Sequence, residues 1–394
     1  MLLVGLPSVR GPSKLLDEVL ALGVGGVLLT DGNVETIGQV KALVAAIRAA
    51  APHSVVVAAD EEPGRVRTFR ELFGNDRSAR RMAREDTAEE VERIGRATGW
   101  RLVGLGVDVD LAPVADVDSG PSDAIVGDRS FSGDPLDASK YSLAYARGLA
   151  AGGVTPVIKH FPGHGRTRGD SHAVLPRVTV SLATLRSTDL VPFTHAVDAG
   201  APVVMLGHVA YDAIDPGVPA SMSPRAYALL RDLGFSGVAL TDSIGMGAVN
   251  LRWDFDVAAV KALAAGADGV LATDGRQARR MRDAIVDAVL AGRLDEARLD
   301  EAAARMTALA GDDPEAVACT PARLPDLGND PGRSGVEGRT VRAEGGDDPW
   351  RSSSTTPSSP PTTARRRPPS PPRYSASDHL RPSGPSWPSA PPTG

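Results

Sequence analysis

The sequence predicts an α/β fold in which residues 1–310 form a single (β/α)8, TIM-like barrel. The first observation behind this prediction is that short apolar runs recur eight times, with longer segments of helical periodicity between them. Most of the runs are continuous rather than alternating, which is typical of strands buried on both faces of a parallel sheet. The runs are LLVGL (2–6), GVLLT (26–30), SVVVAAD (54–60), VDVDLAPVAD (107–116), TPVIKH (155–160), PVVMLGH (202–208), GVALTD (237–242) and GVLAT (269–273).

Between the runs, apolar residues recur at spacings of three and four, as on one face of a helix. Two segments show this spacing, through Val34, Ile37, Val40, Val44 and Ile47 in one and Leu182, Leu185, Leu190, Phe193 and Val197 in the other. The alternative architecture is an open doubly wound sheet, in which we would expect a G-x-G-x-x-G turn after an early strand. The first turns contain no such motif, so the closed barrel is favoured.

The second observation is the placement of polar residues at or just after the C-terminal ends of the predicted strands. In a barrel these ends meet at one mouth, which is where such folds place their active sites. Charges scattered over the surface would not follow the strands in this way. The residues are Asp60, Asp116, Lys159, His160, His208, Asp242 and Asp274.

Composition excludes several classes of function. The net charge of -6, with both signs interspersed, gives no basic stripe for nucleic acid. The single cysteine, Cys319, cannot form an internal disulfide. No apolar run approaches the roughly 20 residues that span a bilayer. We therefore expect no nucleic-acid partner and no membrane span. We also expect a monomer without a cofactor.

The first residues, MLLVGLPSVR, lack the basic segment and the longer apolar core of a secretory signal. As given, the chain is expected to be cytoplasmic. It begins abruptly inside a predicted strand, however, and an extracellular or cell-surface location would follow if the true N-terminus were missing.

Beyond residue 310 the composition changes, because 17 of the 32 prolines lie in residues 311–394 together with many Ser, Thr and Arg residues. Such a segment buries too little apolar surface to offset its ordering entropy, so it is predicted to be a disordered, low-complexity tail.

The stretch KHFPGHGRTRGDSH, residues 159–172, contains three of the seven histidines of the chain. Its proline and glycines end the preceding strand and predict a long loop over the barrel mouth. Asp170 lies two residues before His172, where it can accept the imidazole N–H and orient a general acid/base. Asp242, at the end of the seventh strand, has four possible roles from its position alone, as a nucleophile, a metal ligand, a ligand-binding carboxylate or a helix cap.

Taken together, these segments resemble glycoside hydrolase family 3, in its β-N-acetylglucosaminidase branch. The resemblance covers roughly residues 2–310, and the pairing of KHFPGHG with DSH is its most specific element. The similar segments are KHFPGHG, DSH, TDSIGMGA, AADEEPGRV, APVADV, GDRSF and MLGHVAY.

The resemblance implies a role for each matching residue. Asp242 would be the nucleophile that forms a covalent glycosyl-enzyme, and His172, oriented by Asp170, would be the acid/base. The sugar hydroxyls would be held by Asp60 together with Arg129, Lys159 and His160, and His208 would line the same pocket. No metal ion is implied.

The implied activity is that of a retaining exo-glycosidase, a β-N-acetylhexosaminidase that releases terminal β-linked N-acetylglucosamine from peptidoglycan fragments or related glycans. Three alternatives stay open. They are phosphorolysis at the same site, a metal-dependent hydrolase in which His160, His164, His172 and Asp242 gather a divalent ion, and a degenerate sugar-binding protein.

The sequence departs from the family pattern at two positions. Pro63 stands where a glycine is usual, and Thr68 stands where an arginine that contacts the substrate is expected, with Arg67 just before it. Since proline fixes φ and removes a donor, we expect a stiffer turn after Glu62 and reduced affinity for the sugar.

Overall fold

Residues 1–167 and 169–311 are described by the computed structural model of the protein. The tail predicted for residues 311–394 lies outside this range, apart from Gly311. In the described part of the chain, no helix is long and apolar enough to cross a membrane.

Eight parallel strands form the barrel, and each predicted run supplies one of them. The strands are β1 (Leu2–Gly5), β2 (Gly26–Leu29), β3 (Val56–Ala59), β4 (Val109–Asp110), β5 (Thr155–Phe161), β6 (Arg177–Val178), β7 (Val203–Leu206), β8 (Ala210–Tyr211), β9 (Val238–Thr241) and β10 (Val270–Ala272). The sheet order is β10-β1-β2-β3-β4-β5-β7-β9, and a parallel bridge from Leu240 to Gly269 joins the two ends. The prediction of a (β/α)8 barrel is therefore confirmed. A separate pair, β6 and β8, lies outside the barrel.

Side chains of the barrel strands alternate between two hydrophobic clusters. One cluster fills the barrel and includes Leu3, Leu28, Val157 and Met205. The neighbours of these residues in sequence pack outward beneath the helices. Because successive residues of a strand point to opposite faces, a strand buried on both faces needs apolar residues throughout, as the continuous runs indicated.

Helices surround the strands. The first predicted helical segment forms α2 (Ile37–Ala50), which buries Val40, Val44 and Ile47. Two residues of the predicted face do not belong to it, since Val34 precedes the helix and Ile37 is exposed. The helices are α1 (Lys14–Leu20), α2 (Ile37–Ala50), α3 (Arg70–Phe73), α4 (Ala79–Glu85), α5 (Ala88–Leu105), α6 (Pro135–Ala151), α7 (Leu182–Ser187), α8 (Val191–Asp198), α9 (Pro224–Asp232), α10 (Gly247–Asn250), α11 (Phe255–Ala265), α12 (Ala278–Leu290) and α13 (Glu296–Leu309).

The second predicted helical segment, residues 182–197, is divided into α7 and α8. Thr188, between them, has φ -133° and ψ -81°, outside the helical region. The next residue, Asp189, is buried and accepts a hydrogen bond of 2.7 Å from Arg166 in the loop after β5. The break between α7 and α8 therefore lies beside a contact between segments that are distant in sequence. The spacing of apolar residues alone does not reveal such a contact.

A buried ion cluster fastens α13 to the end of the barrel opposite the active-site mouth. Asp268, which is fully buried just before β10, accepts hydrogen bonds from Arg298 at 2.5 Å and from Arg305 at 2.9 Å. Its other oxygen accepts from Arg231 at 2.7 Å and from the backbone N–H of Ala239 at 2.8 Å. One carboxylate thus joins α9, α13 and the barrel.

We expect Asp268→Asn to lower the free energy of unfolding by about 3–5 kcal/mol, the usual cost of removing one member of a buried charge cluster. Urea unfolding followed by circular dichroism measures this change. The control is Glu35→Gln, since Glu35 makes an exposed 3.9 Å ion pair with Arg10 and its loss should cost at most about 1 kcal/mol. Equal losses for the two variants would contradict this account of the cluster.

Candidate active site

A cavity of about 360 Å³ opens at the C-terminal ends of the barrel strands. Its base is apolar and includes Leu28, Leu111 and Met205, whereas titratable side chains stand around its wall. Of the predicted site residues, the structure brings six to this cavity, namely Asp60, Arg129, Lys159, His160, His172 and Asp242. Asp170 and His208 are not among the lining residues. His164 also lines it.

Two cations and two carboxylates form one side of the site. Lys159, near the end of β5, places its Nζ 2.8 Å from Asp60 Oδ1 and 2.6 Å from Glu62 Oε1. Arg129 donates to both oxygens of Glu62, at 2.7 and 2.8 Å. Asp60 is the most accessible carboxylate of this network, because 35% of its side chain is exposed, whereas the Lys159 side chain is 2% exposed.

Glu62 is ionised in this network. Burial alone would raise its pKa, but the charges of Arg129 and Lys159 outweigh burial and hold the pKa well below its ordinary range. Conversely, burial opposes the charged form of Lys159, yet Asp60 and Glu62 raise its pKa above the usual value. The two cations therefore keep their charge at neutral pH and can donate hydrogen bonds to a ligand.

A second buried carboxylate organises the end of β5. Asp116, fully buried, accepts from His160 Nδ1 at 2.7 Å and from the backbone N–H of His164 at 2.6 Å. Burial raises the pKa of Asp116, but its interactions with His160 and His164 together outweigh burial and lower the pKa. With Nδ1 engaged by the carboxylate, His160 has its Nε2 left to interact within the cavity.

His164 is bonded at both ring nitrogens, to Ser171 Oγ at 3.1 Å and to Thr167 Oγ1 at 2.7 Å. Burial lowers its pKa, which favours the neutral ring. These bonds lie within the loop predicted between residues 161 and 172, so His164 holds that loop together while one side of it faces the cavity.

The predicted dyad is present. His172 Nδ1 lies 2.9 Å from Asp170 Oδ1, and the same oxygen accepts the backbone N–H of His172 at 2.9 Å. These contacts, the backbone bond first, lower the pKa of Asp170. With 70% of its side chain exposed, His172 has its Nε2 available to a ligand in the cavity.

The loop that carries His172 is pinned by backbone hydrogen bonds to the start of α10. Gly247 N–H donates to the carbonyl of His172 at 2.9 Å, and Ala248 N–H donates to that of Ser171 at 3.0 Å. A Cβ on Gly247 would lie 2.5 Å from the His172 carbonyl oxygen, so this close approach requires glycine.

Asp242 follows β9 and faces the cavity. Its Oδ1 accepts the N–H of Ser243 at 2.7 Å. Burial raises its pKa, but His208, His160, the Ser243 N–H and Lys159 together outweigh burial and lower the pKa, so the carboxylate is ionised. The next helix, α10, begins only at Gly247 with Met246 at its N-cap, which excludes the helix-cap role for Asp242.

His208 lies behind the site. Its side chain is fully buried, with Nδ1 2.6 Å from Ser221 Oγ and Nε2 2.8 Å from the carbonyl oxygen of Ser243. With both ring nitrogens engaged by the protein, it does not line the cavity as predicted. It supports the backbone immediately after Asp242.

Thr68, one of the two departures from the family pattern, lies beside Asp60. Thr68 Oγ1 bonds the backbone N–H of Asp60 at 3.2 Å and its carbonyl oxygen at 3.1 Å, so it fastens Asp60 in place. Arg67 is buried in an ion pair of 2.6 Å with Glu61 and a second pair with Asp76, and it is not among the cavity-lining residues. The arginine next to the expected position therefore does not replace it.

The residues proposed as metal ligands do not form a metal site. Among the residues that the structure describes, no group of three or more His, Cys, Asp or Glu side chains is arranged to hold a metal ion. His160 and His164 each use ring nitrogens for protein partners instead. The donor set required by the metal-dependent alternative is therefore not assembled.

Sequence reasoning missed Glu62 and the role of Asp116. One signal was available for Glu62, because Asp60 and Glu62 are two residues apart at a strand end, where alternate side chains share a side. Their partners come from distant segments, 67 residues away for Arg129 and 44 for His160. No local pattern identifies such pairs.

Comparisons with known proteins agree with this architecture. The family model "Glycosyl hydrolase family 3 N terminal domain" matches residues 4–309. The beta-hexosaminidase LpqI of Mycobacterium tuberculosis is 34% identical over 333 residues, covering 79% of this chain and 85% of LpqI. A beta-hexosaminidase of Pseudomonas aeruginosa is 38% identical over 255 residues, covering 64% of this chain and 76% of that protein.

A solved structure of a glycosyl hydrolase of the same family from Mycobacterium smegmatis superposes with a TM-score of 0.73 at 38% identity, covering 78% of this chain and 94% of that one. The structure of a glycoside hydrolase family 3 beta-N-acetylglucosaminidase from Paenibacillus superposes with a TM-score of 0.74 at 29% identity, covering 83% of this chain and 64% of that one. The chain belongs to glycosyl hydrolase family 3.

Proposed function

We propose that the protein is a retaining, exo-acting β-N-acetylhexosaminidase that releases terminal β-linked N-acetylglucosamine from peptidoglycan fragments or related glycans. The observation that carries the proposal is one cavity lined by an ionised carboxylate, Asp242, and by an imidazole held by a carboxylate, His172 with Asp170. The names of the relatives, beta-hexosaminidase and beta-N-acetylglucosaminidase, support the same activity.

In the first step, a carboxylate oxygen of Asp242 attacks the anomeric carbon and forms the glycosyl-aspartate. The bond from that carbon to the leaving oxygen breaks, and the imidazolium of His172 gives its Nε2 proton to that oxygen. Asp170 stabilises the imidazolium before transfer and holds Nδ1–H, so Nε2 remains directed at the leaving group.

In the second step, water attacks the same carbon and gives a proton to the now neutral His172. The carbon–oxygen bond to Asp242 breaks, and the carboxylate and imidazolium are both restored. During both steps Asp60, Arg129, Lys159 and His160 hold the sugar. Since these groups include both donors and an acceptor, they suit hydroxyl groups, which donate and accept.

The substitution of histidine for the usual second carboxylic acid affects the acceptor. A carboxylic acid becomes anionic after losing its proton, whereas histidine becomes neutral, so an anionic acceptor is repelled less in the second step. Product analysis with inorganic phosphate added therefore belongs to the test, since N-acetylglucosamine 1-phosphate would identify phosphorolysis.

We expect the purified protein to release nitrophenol from 4-nitrophenyl N-acetyl-β-D-glucosaminide and to retain this activity in EDTA. Product is followed by absorbance, and the released sugar by chromatography. Loss of activity in EDTA, restored by a divalent ion, would support the metal-dependent alternative. Binding of N-acetylglucosamine without turnover would identify a sugar-binding protein.

A further inference from the structure

Glu62 is the charge centre of the sugar-binding side, although it is not among the residues that line the cavity. Only 1% of its side chain is exposed. Oε1 accepts from both Lys159, at 2.6 Å, and Arg129, at 2.7 Å, and Oε2 accepts from Arg129 Nε at 2.8 Å. The Arg129 pair is bidentate, the geometry that fixes a guanidinium most firmly.

These contacts determine how the two cations face the cavity. A bidentate partner fixes the plane of the Arg129 guanidinium, and the Lys159 ammonium is confined between Glu62 and Asp60. In the described residues, Asp60 is the only other carboxylate within ion-pair distance of Lys159. Without Glu62, Asp60 would be the carboxylate left near the two positive charges of Lys159 and Arg129. Because Asp60 would then be engaged more strongly by these cations, its capacity to accept hydrogen bonds from a ligand would fall.

We propose that Glu62 is a positioning residue, which orients Arg129 and Lys159 toward the sugar hydroxyls and keeps Asp60 free to accept from them. It acts through these residues and does not touch the substrate. This inference rests on the proposed glycosidase function, because the cations are taken to bind a sugar.

The test is Glu62→Gln, which keeps the size of the side chain and removes its charge. We expect kcat/KM for the nitrophenyl glycoside to fall by about 10²-fold, the typical cost of misplaced binding groups, with most of the loss in KM. Glu62→Asp keeps the charge on a shorter side chain, so it should recover part of the loss. In an Arg129→Ala background, Glu62→Gln should cost less than in the wild type, since one of its targets is already absent.

Glu61→Gln is the matched control. Glu61 is adjacent and equally buried, and it forms a 2.6 Å ion pair, but with Arg67, which is not at the cavity. Both substitutions thus remove a buried charge from the same turn, and both should lower the melting temperature. Only Glu62→Gln should change kcat/KM by more than about threefold, because only Glu62 contacts the binding cations.

Each outcome distinguishes this inference from the proposed function. A wild-type protein that does not turn over the glycoside contradicts the proposed function, and calorimetry with N-acetylglucosamine then tests Glu62 by affinity alone. If the wild type is active and the two glutamine variants lose activity equally, the inference is overturned. If Glu62→Gln does not fold, Glu62→Asp decides, since activity equal to that of Glu61→Gln overturns the inference and a raised KM supports it.

Discussion

Replacing Asp242 by alanine is expected to reduce kcat by on the order of 10⁵-fold or more, the scale seen when a catalytic nucleophile is removed. Without a carboxylate at the end of β9, no covalent glycosyl-enzyme can form, and the remaining groups only bind and protonate. The measurement is kcat for the nitrophenyl glycoside. Folding is verified by the circular dichroism spectrum and by the melting temperature.

Asp274→Ala is the matched control for this variant. Asp274 follows β10, the strand that closes the barrel next to β9, but it bonds Arg276 at 2.7 Å and is not among the cavity-lining residues. Its loss should leave kcat within a few-fold of the wild type. Similar losses for the two variants would show that a carboxylate at the barrel rim matters for the fold rather than for the reaction.

Covalent trapping identifies the nucleophile directly. A 2-fluoro sugar with a good leaving group forms the glycosyl-enzyme but slows its hydrolysis, since fluorine destabilises the positively charged transition state. Mass spectrometry of peptides is expected to place the added mass on Asp242. A label on Asp60 or Glu62, or on no residue of an active enzyme, would contradict the proposed mechanism.

Replacing His172 by alanine is expected to reduce kcat/KM by about 10² to 10⁴-fold for substrates with poor leaving groups, the range of general acid catalysis. The reason is that a sugar or alkyl leaving oxygen needs a proton as its bond breaks. A dinitrophenyl leaving group needs none, so its kcat/KM, which reports the first step, should fall much less. The measurement is a series of aryl glycosides of decreasing leaving-group pKa.

Two further variants sharpen this prediction. Asp170→Asn keeps the hydrogen bond to His172 but removes the negative charge that stabilises the imidazolium, so it should show a weaker form of the same leaving-group dependence. His195→Ala should show none, because His195 lies on α8 and bonds Ser139 outside the cavity. If His172→Ala loses the same factor on every leaving group, the acid/base assignment is wrong.

The barrel was predictable because burial on both faces leaves a continuous apolar run. The runs containing Val56–Ala59 and Val238–Thr241 show this directly, and their polar ends placed Asp60 and Asp242 at one mouth. The Asp170–His172 pair was also readable, because two residues of separation within a turn bring the groups together. In each of these cases the information is local in the sequence.

Contacts between segments that are distant in sequence could not be predicted from the sequence. His208 follows a strand, as the cavity-lining residues do. Its two ring nitrogens, however, contact Ser221 and the carbonyl oxygen of Ser243, which the fold brings together from distant parts of the chain. Glu62 was noted only beside Pro63, although its partners Arg129 and Lys159 give it the larger role. For such residues the sequence shows that a polar side chain lies at the end of a strand, but it does not show which distant residue that side chain contacts.

The backbone hydrogen bonds at Gly247 couple the proposed acid/base to the segment that carries the proposed nucleophile. For His172 to swing outward, the chain must give up the bonds from Gly247 and Ala248, which also begin the four-residue helix α10. These donors are the first N–H groups of α10, which no carbonyl of the helix itself can satisfy, so an outward movement of the His172 backbone would cost two hydrogen bonds and leave two amides without their partners.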